Sequence, residues 1–327
     1  MENPLGLPKK LLKYVPQPLD YQLLNLTRAF FSGKSALTHI AYMSDLIKLG
    51  RHLKLREPDI QGVAEFLFEG GPLKANQLVL EYKHHLREDL KLSPSTINRK
   101  IAAIRSLTKI GRVLGVISWR IEVQNERSRA YRNTRGPGLE GMIKLFEAAR
   151  NGPFRPMNIR NEAILRLLFD LGLRRAEVSN LNFADLDLDQ NNIKVIGKGF
   201  TEPLTLSIPS HTSQALAEWL EYRGRMPGPL FIGLQHKKKI KIRMSGTAIY
   251  RMIKRLGKDA GVEAARPHAI RHTSITAACN VAQARGLGLE DVKLFSRHQD
   301  INTLLIYRDN EENIQGRVAS LVSALLG

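Results

Sequence analysis

Between Trp119 and Gly138 the chain gathers Arg127, Arg129, Arg132 and Arg135 and then closes the stretch with Gly136-Pro137-Gly138. Glycine and proline at that density break regular structure, and a run of like charges stays solvated, so one core cannot run through this stretch. The 327 residues are therefore read as two domains, each long enough to bury its own core. The expected layout is an extended lead-in over residues 1–35, a helical domain over 36–132, a linker at 133–138 and a second domain over 139–327. A basic linker suits simple solvation, and it equally suits two lobes that close around a duplex.

Apolar spacing gives the class within each part. Ala36, Ile40, Met43 and Ile47 recur at three and four, which predicts a helix with this stripe toward the core and Gly50 at its end. Ser93-Pro94-Ser95 starts a second helix, with Ile97, Ile101 and Ile104 on one face and Arg105, Lys109 and Arg112 on another. Pro4, Pro8, Pro16 and Pro18 predict little regular structure before Asp20. In the second half, Ile164, Leu167, Leu168 and Leu171 form a helical stripe stopped by Gly172. Two short alternating runs, Ile193 to Ile196 and Leu204 to Ile208, predict strands on either side of Gly197-Lys198-Gly199. A further helix is expected from Ser245 to about Gly261, and Ile314, Val318, Leu321, Val322 and Leu325 mark an apolar face near the carboxyl end. The expected fold class is mainly α with a small β-sheet.

Charge narrows the partner. Fifty Lys plus Arg against 31 Asp plus Glu leave a formal charge of +19, which points to a polyanion, with nucleic acid first among them. The sequence holds no apolar run long enough to cross a bilayer, and Met1 to Pro18 contain no apolar signal region, so no membrane partner and a cytoplasmic, nucleoid-associated location are expected. A single cysteine, Cys279, excludes an intrachain disulfide and any zinc site built on paired cysteines. No His-Glu-x-x-His motif is present either, and no metal site is expected.

Three stretches could carry chemistry. Gly172-Leu173-Arg174 follows a buried helix end, so Arg174 emerges at a turn, where its fork suits two phosphate oxygens; taken alone, a surface salt bridge to Glu177 three residues on explains it better. Arg266-Pro267-His268-Ala269-Ile270-Arg271-His272-Thr273 places Pro267 in a first helical turn with His268 and Arg271 on one face, an arrangement that suits an anion. The last, Ser296 to Tyr307, ends in a tyrosine within an apolar segment, which by itself suits a core residue.

In their order along the chain these motifs resemble those of the tyrosine recombinases, the phage-integrase type of site-specific recombinase, over about residues 36 to 327. Gly172-Leu173-Arg174 with Glu177 resembles the first arginine motif, and Gly197-Lys198-Gly199, 24 residues on, resembles the lysine hairpin. His268-x-x-Arg271-His272-Thr273 resembles the second motif, and His298 nine residues before Tyr307 the last. Ser93 to Arg105 is similar to a helix with which the core-binding domain of these proteins touches DNA. On that likeness Arg99, Arg105, Lys109 and Arg112 are expected to meet DNA. The chain departs from the pattern at Ser296-Arg297, where Leu-Gly is usual, at Ile270, where leucine is commoner, and in a longer stretch around Gln283 to Leu289.

The resemblance implies a two-domain DNA clamp, with an all-helical core-binding domain and an α+β catalytic domain. Arg174 and Arg271 would hold the nonbridging oxygens of a phosphodiester, Tyr307 would attack to form a 3′-phosphotyrosyl link, and Lys198 would protonate the departing 5′-oxygen. His268 and His298 would supply hydrogen bonds or handle protons, while Glu177 and His272 would hold the geometry. No metal, ATP or other cofactor is implied. The partners implied are double-stranded DNA at specific recombination sites and three further copies of the chain, in a tetramer linked by the terminal helix. Two other readings fit parts of the pattern: a type IB topoisomerase-like nicking and resealing enzyme, and a DNA-binding protein without catalysis.

Overall fold

The computed structural model describes residues 36–127, 136–197, 200–234 and 242–301, with shorter pieces at 26, 29–30, 32–33, 303–304, 319–320 and 322–325. Two compact units divide it, Met1–Ala130 and Tyr131–Gly327.

The first unit is helical: α1 (Ala36–His52), α2 (Ile60–Glu69), α3 (Gly71–Glu88) and α4 (Pro94–Val113). Pro94 opens α4, where a missing N–H costs nothing, and the carbonyl of Ser93 accepts from the amides of Thr96 and Ile97. The hydroxyl of Ser93 does not cap the helix; it bonds the hydroxyls of Ser95 and Thr96 at 3.2 and 2.9 Å. Ile97, Ile101 and Ile104 enter the core as their spacing predicts.

The α1 stripe is corrected. Ile40 and Met43 are 65% and 39% exposed, and the buried face carries Leu46 and Leu49 instead. Asp45 decides the rotation: it is buried and paired with Lys100 at 3.0 Å, and Arg99 also bonds it. A carboxylate and an ammonium out of water must stay together, so α1 turns its Asp45 face inward. Gly50 does not stop the helix, which runs on to His52; a Cβ at Gly50 would lie 2.8 Å from the Cα of Pro58. It is the point of close approach between two segments.

The extended lead-in is corrected at two residues. Leu26 and Phe30 are helical and wholly buried in this core, because the prolines that break structure all precede Asp20 and leave the following apolar residues free to pack. The segment after α4 also belongs to the unit. Ile121 and Val123 are buried, and Asn98 holds the backbone of Glu126 in both directions, at 2.7 and 3.0 Å.

The second unit runs α5 (Gly138–Arg150), α6 (Arg155–Phe169), α7 (Arg175–Asn180), a single 3-10 turn (Phe183–Asp185), β1 (Leu186–Asp187), β2 (Asn192–Ile196), β3 (Pro203–Ser207), α8 (Ser210–Arg223), α9 (Gly246–Asp259), α10 (Pro267–Ala284) and α11 (Leu289–Ser296). The strands form an antiparallel sheet in the order β1-β2-β3, with Ile193 opposite Leu206 and Val195 opposite Leu204. Ile193 and Val195 face the core while Lys194 and Ile196 do not, which is the period of two expected of a half-buried strand. The β1 strand has two residues, too few to leave any alternation in the sequence. Trp219 on α8 anchors the core: it is fully buried, donates to the carbonyl of Leu230 at 2.8 Å and stacks on Phe231. The fold is therefore mainly α with one small sheet. No described helix is long and apolar enough to cross a membrane.

Candidate nucleic-acid and phosphodiester site

Two structural devices set the positions of the candidate residues in the second unit. The first is the turn after α6. Gly172 takes φ +56, a conformation open to glycine, and so reverses the chain directly after the buried Leu171. Arg174 then stands at the amino end of α7, where Glu177 accepts from both its backbone N–H and its Nη1, each at 2.8 Å. The ion pair that explained Arg174 as a surface residue is thus real, but it is not on the surface, because Glu177 is only 5% exposed.

The second device is α10. Pro267 opens it as its place in the sequence predicts, and Arg271 follows one turn later, 2% exposed, with Nη1 donating to the carbonyl of Gly172 and Nη2 to that of Ser296. Gly136 braces this helix from the side. A Cβ at that position would lie 2.0 Å from the hydroxyl oxygen of Thr273 and 2.3 Å from the carbonyl oxygen of Ala269. The breaker at the end of the expected linker is therefore a contact surface for the helix that carries His268 and Arg271.

These segments enclose a cavity of about 400 Å³ lined by Arg174, Arg175, Tyr250, Arg266, His268 and Arg271 among others. Among the described residues no carboxylate lines it. Four guanidinium groups and an exposed imidazole converge there, so a phosphate entering the cavity meets positive charge on several sides. His298 lies against the same cluster. Burial, followed by the charges of Arg271, Arg174, Arg297 and then His268, lowers its pKa to about 4, so at neutral pH the ring is an uncharged imidazole with one N–H to give.

The expected residues separate into three groups. Arg174, His268 and Arg271 line the cavity, and His298 adjoins them. Glu177 supports Arg174, whereas His272 is not among the cavity's lining residues and is buried with Nδ1 3.5 Å from the hydroxyl of Thr276. Lys198 and Tyr307 lie outside the described residues. The described residues flanking them are Gly197 and Phe200, the amide of Phe200 bonding the carbonyl of Gly197 at 3.2 Å across the β2-β3 connection, and Leu304, fully buried beside Ile275 and Val292. Of the terminal apolar face, Val322 and Leu325 are exposed, while Ile314, Val318 and Leu321 lie outside the described residues.

In the first unit the four basic residues of α4 divide. Arg99 is ion-paired to the buried Asp45, and Arg105 donates to Asn125 Oδ1 at 2.7 Å and to the carbonyl of Val123. Both bind the unit's own chain. Lys109 and Arg112 are exposed and line a surface hollow with Phe68 and Trp119.

Sequence reasoning missed several participants. Arg175 and Arg266 each sit beside a named residue, and adjacent basic residues at a turn were the available signal. Arg243 donates to the carbonyls of Ser179 and Leu181 at 2.8 and 2.9 Å and so secures the far end of α7. Arg297 registers in the sequence only as a departure from a family pattern. In the structure it is the left-handed residue that ends α11, with φ 55, and its guanidinium bonds Leu171, Gly172, Phe295 and Glu177.

Comparison with known proteins bears on the same region. The profile of the phage integrase family matches residues 140–313. A tyrosine recombinase of Synechocystis sp., slr0733, is 30% identical over 321 residues, covering 96% of this chain and the whole of that protein. The tyrosine recombinase XerC of Corynebacterium efficiens is 27% identical over 307 residues, or 91% of this chain and 87% of that one. Among solved structures, a lambda integrase fragment bound as a dimer to a COC′ core site superposes with a TM-score of 0.63 at 15% identity, over 90% of this chain and 96% of that one. The Tn1549 transposon integrase in complex with transposon right end DNA gives 0.63 at 14% identity, over 93% and 98%. At those identities the two structures speak for the fold.

Proposed function

Because this chain belongs to the phage integrase family, and is a tyrosine recombinase acting on DNA at specific sites, we propose that it breaks and rejoins strands by direct phosphoryl transfer to Tyr307 in the pocket of Arg174, His268 and Arg271. The observation that carries this reading is the cavity, lined by no carboxylate among the described residues, in which two arginines from motifs 97 residues apart in the chain meet an exposed histidine.

The chemistry follows from the groups. The phenolic oxygen of Tyr307 attacks the phosphorus, the bond from phosphorus to the 5′-oxygen breaks, and the 3′-phosphate remains on the tyrosine as a diester. The bond energy is kept, so a 5′-hydroxyl can reverse the step. His268 takes the phenolic proton, and Lys198 gives a proton to the departing 5′-oxygen. Arg174 and Arg271 face the nonbridging oxygens, whose charge grows in the transition state, and their planar forks stay charged throughout. His298, held neutral, donates a ring N–H rather than a full charge.

Binding precedes chemistry, and Lys109 and Arg112 on α4 supply phosphate contacts there. Cleaving two duplexes requires several protomers, and a homo-tetramer joined through the segment after Tyr307 fits the apolar spacing of that segment. The bacterial relatives and the net charge of +19 support a nucleoid-associated cytoplasmic enzyme.

The test is Arg271→Lys, compared with the unaltered chain for covalent trapping on a site-bearing DNA and for equilibrium binding. Lysine keeps the charge but not the fork, so adduct formation should fall about 10²-fold with binding nearly unchanged. Equal rates for the two proteins would remove Arg271 from the phosphate. Lys198→Ala should likewise lose cleavage and regain it on DNA with sulfur in the 5′-bridging position, because a thiolate leaves without a proton.

A further inference from the structure

Arg297 stands where a left-handed backbone would ordinarily call for glycine. It ends α11 at φ 55 and ψ 38, and it immediately precedes His298. The position demands no side chain, yet the one present is 9% exposed and makes four hydrogen bonds. Nη1 donates to the carbonyls of Leu171 at 3.1 Å and Phe295 at 3.2 Å, and Nη2 to the carbonyl of Gly172 at 3.0 Å and to Glu177 Oε2 at 3.3 Å. One planar group therefore joins the turn before Arg174, the carboxylate that holds Arg174 and the end of the helix that delivers His298.

We propose that Arg297 is a positioning residue for the phosphodiester site, fixing Arg174 through Glu177 and fixing His298 through the joint between α11 and the Gly172 turn. This rests on the reading of Arg174, Arg271 and His298 as the phosphate-binding groups. Three features support it. Glu177 lies between two guanidinium groups, so the charge of Arg174 is only partly neutralised by its own carboxylate and remains available to an anion. Gly172 accepts from both Arg271 and Arg297, which places the two arginines on one carbonyl. Arg174 Nη2 also approaches the carbonyl of Arg297 at 3.4 Å, so backbone and side chain of the same residue brace the site. Arg297 is not a lining residue of the cavity. It acts on substrate only through its neighbours.

The experiment uses the full chain with Arg297→Gly, which keeps the left-handed backbone without strain, and Arg297→Lys, which keeps one cation but cannot reach four acceptors spread over three segments. Rate of covalent adduct formation, DNA affinity, thermal midpoint and the titration of His298 by NMR are read on each. The groups facing His298 are Arg271, Arg174, Arg297 and His268. Expected for both variants is a loss of adduct formation of about 10²-fold, the scale of an ångström's misplacement at a reacting centre. DNA affinity should stay native, and in Arg297→Gly the His298 titration should move up from about 4 as one facing cation is removed. Cleavage at the native rate in Arg297→Gly overturns the proposal. So does a loss that merely follows unfolding, with affinity and thermal midpoint falling together. Should Arg297→Gly fail to fold, the same readings on Arg297→Lys decide. Arg174→Ala is the control: native cleavage there would mean that the phosphate-site reading, and with it this inference, is wrong, an outcome distinct from failure at Arg297 alone.

Discussion

Replacing Glu177 by glutamine removes one negative charge from between two guanidinium groups, and the structure sets the size of the effect. The carboxylate accepts from the Arg174 amide and Arg174 Nη1 at 2.8 Å each and from Arg297 Nη2 at 3.3 Å, while only 5% of the residue is exposed. Hydrogen bonds to a charged group contribute about 1.5–3 kcal/mol each, and removing one partner of a buried ion pair costs about 3–5 kcal/mol. Glutamine keeps one acceptor oxygen but turns an amide toward a cation, and Arg174 is partly open to water, so the low end applies, about 3 kcal/mol. For a unit of this size that corresponds to a fall of roughly 6–12 °C in the melting midpoint. Fluorescence isolates the signal, because Trp219 lies in the second unit and Trp119 in the first. In a Trp119→Phe background, the emission of the buried Trp219 therefore reports the unit that holds Glu177. A midpoint lowered by less than about 2 °C, or about 1 kcal/mol, would refute the argument that this carboxylate holds the two arginines in place.

Other perturbations have equally definite outcomes. His298 titrates near 4 in the folded protein against 6.5 for a free histidine, so the unfolded chain binds the extra proton between those values, and stability is lost as pH falls from 6.5 toward 4. With solvent screening of a half-buried ring allowed for, the loss is on the order of 1–2 kcal/mol; denaturant unfolding should show it in the native chain and not in His298→Gln. Gly136→Ala puts a methyl group 2.3 Å from the carbonyl oxygen of Ala269 and should destabilise the second unit by about 2 kcal/mol and slow cleavage, since α10 must move; native stability by urea unfolding would contradict this. Lys109→Gln with Arg112→Gln should lower the slope of log affinity against log salt by about 2. Arg99→Gln and Arg105→Gln should instead destabilise the first unit and leave that slope unchanged, and a reversed pattern would show that the ion-paired residues are the DNA contacts.

Which parts of the molecule were legible in the sequence follows from the range of the forces involved. The α4 face of Ile97, Ile101 and Ile104 and the alternation of β2 were readable because a residue's burial there is set by neighbours three or two positions away. The rotation of α1 was not, since two apolar stripes compete and the winner depends on Asp45 meeting Lys100, 55 residues distant. Arg174, His268 and Arg271 were legible as a set only through their resemblance to the recombinase motifs, since each motif alone also suits a structural role. Arg297 was not, because its acceptors are three backbone carbonyls and a carboxylate, and carbonyls leave no signature in a sequence. The charge count pointed to DNA but does not tell which cations are open to it. Arg160, Arg223 and Arg243 are among the cations behind the +19, yet each donates to backbone carbonyls of its own unit.

Whether the strand is held by Tyr307 is tested most directly by recovering the protein under denaturing conditions from cells or from site-bearing nicked DNA, digesting it, and locating any attached nucleotide by mass spectrometry, with Tyr307→Phe alongside. The expected result is a nucleotide on the Tyr307 peptide through the phenolic oxygen, a free 5′-hydroxyl on the other strand end, and no adduct in the phenylalanine variant. An adduct that persists in Tyr307→Phe, or maps to another residue, would contradict the account.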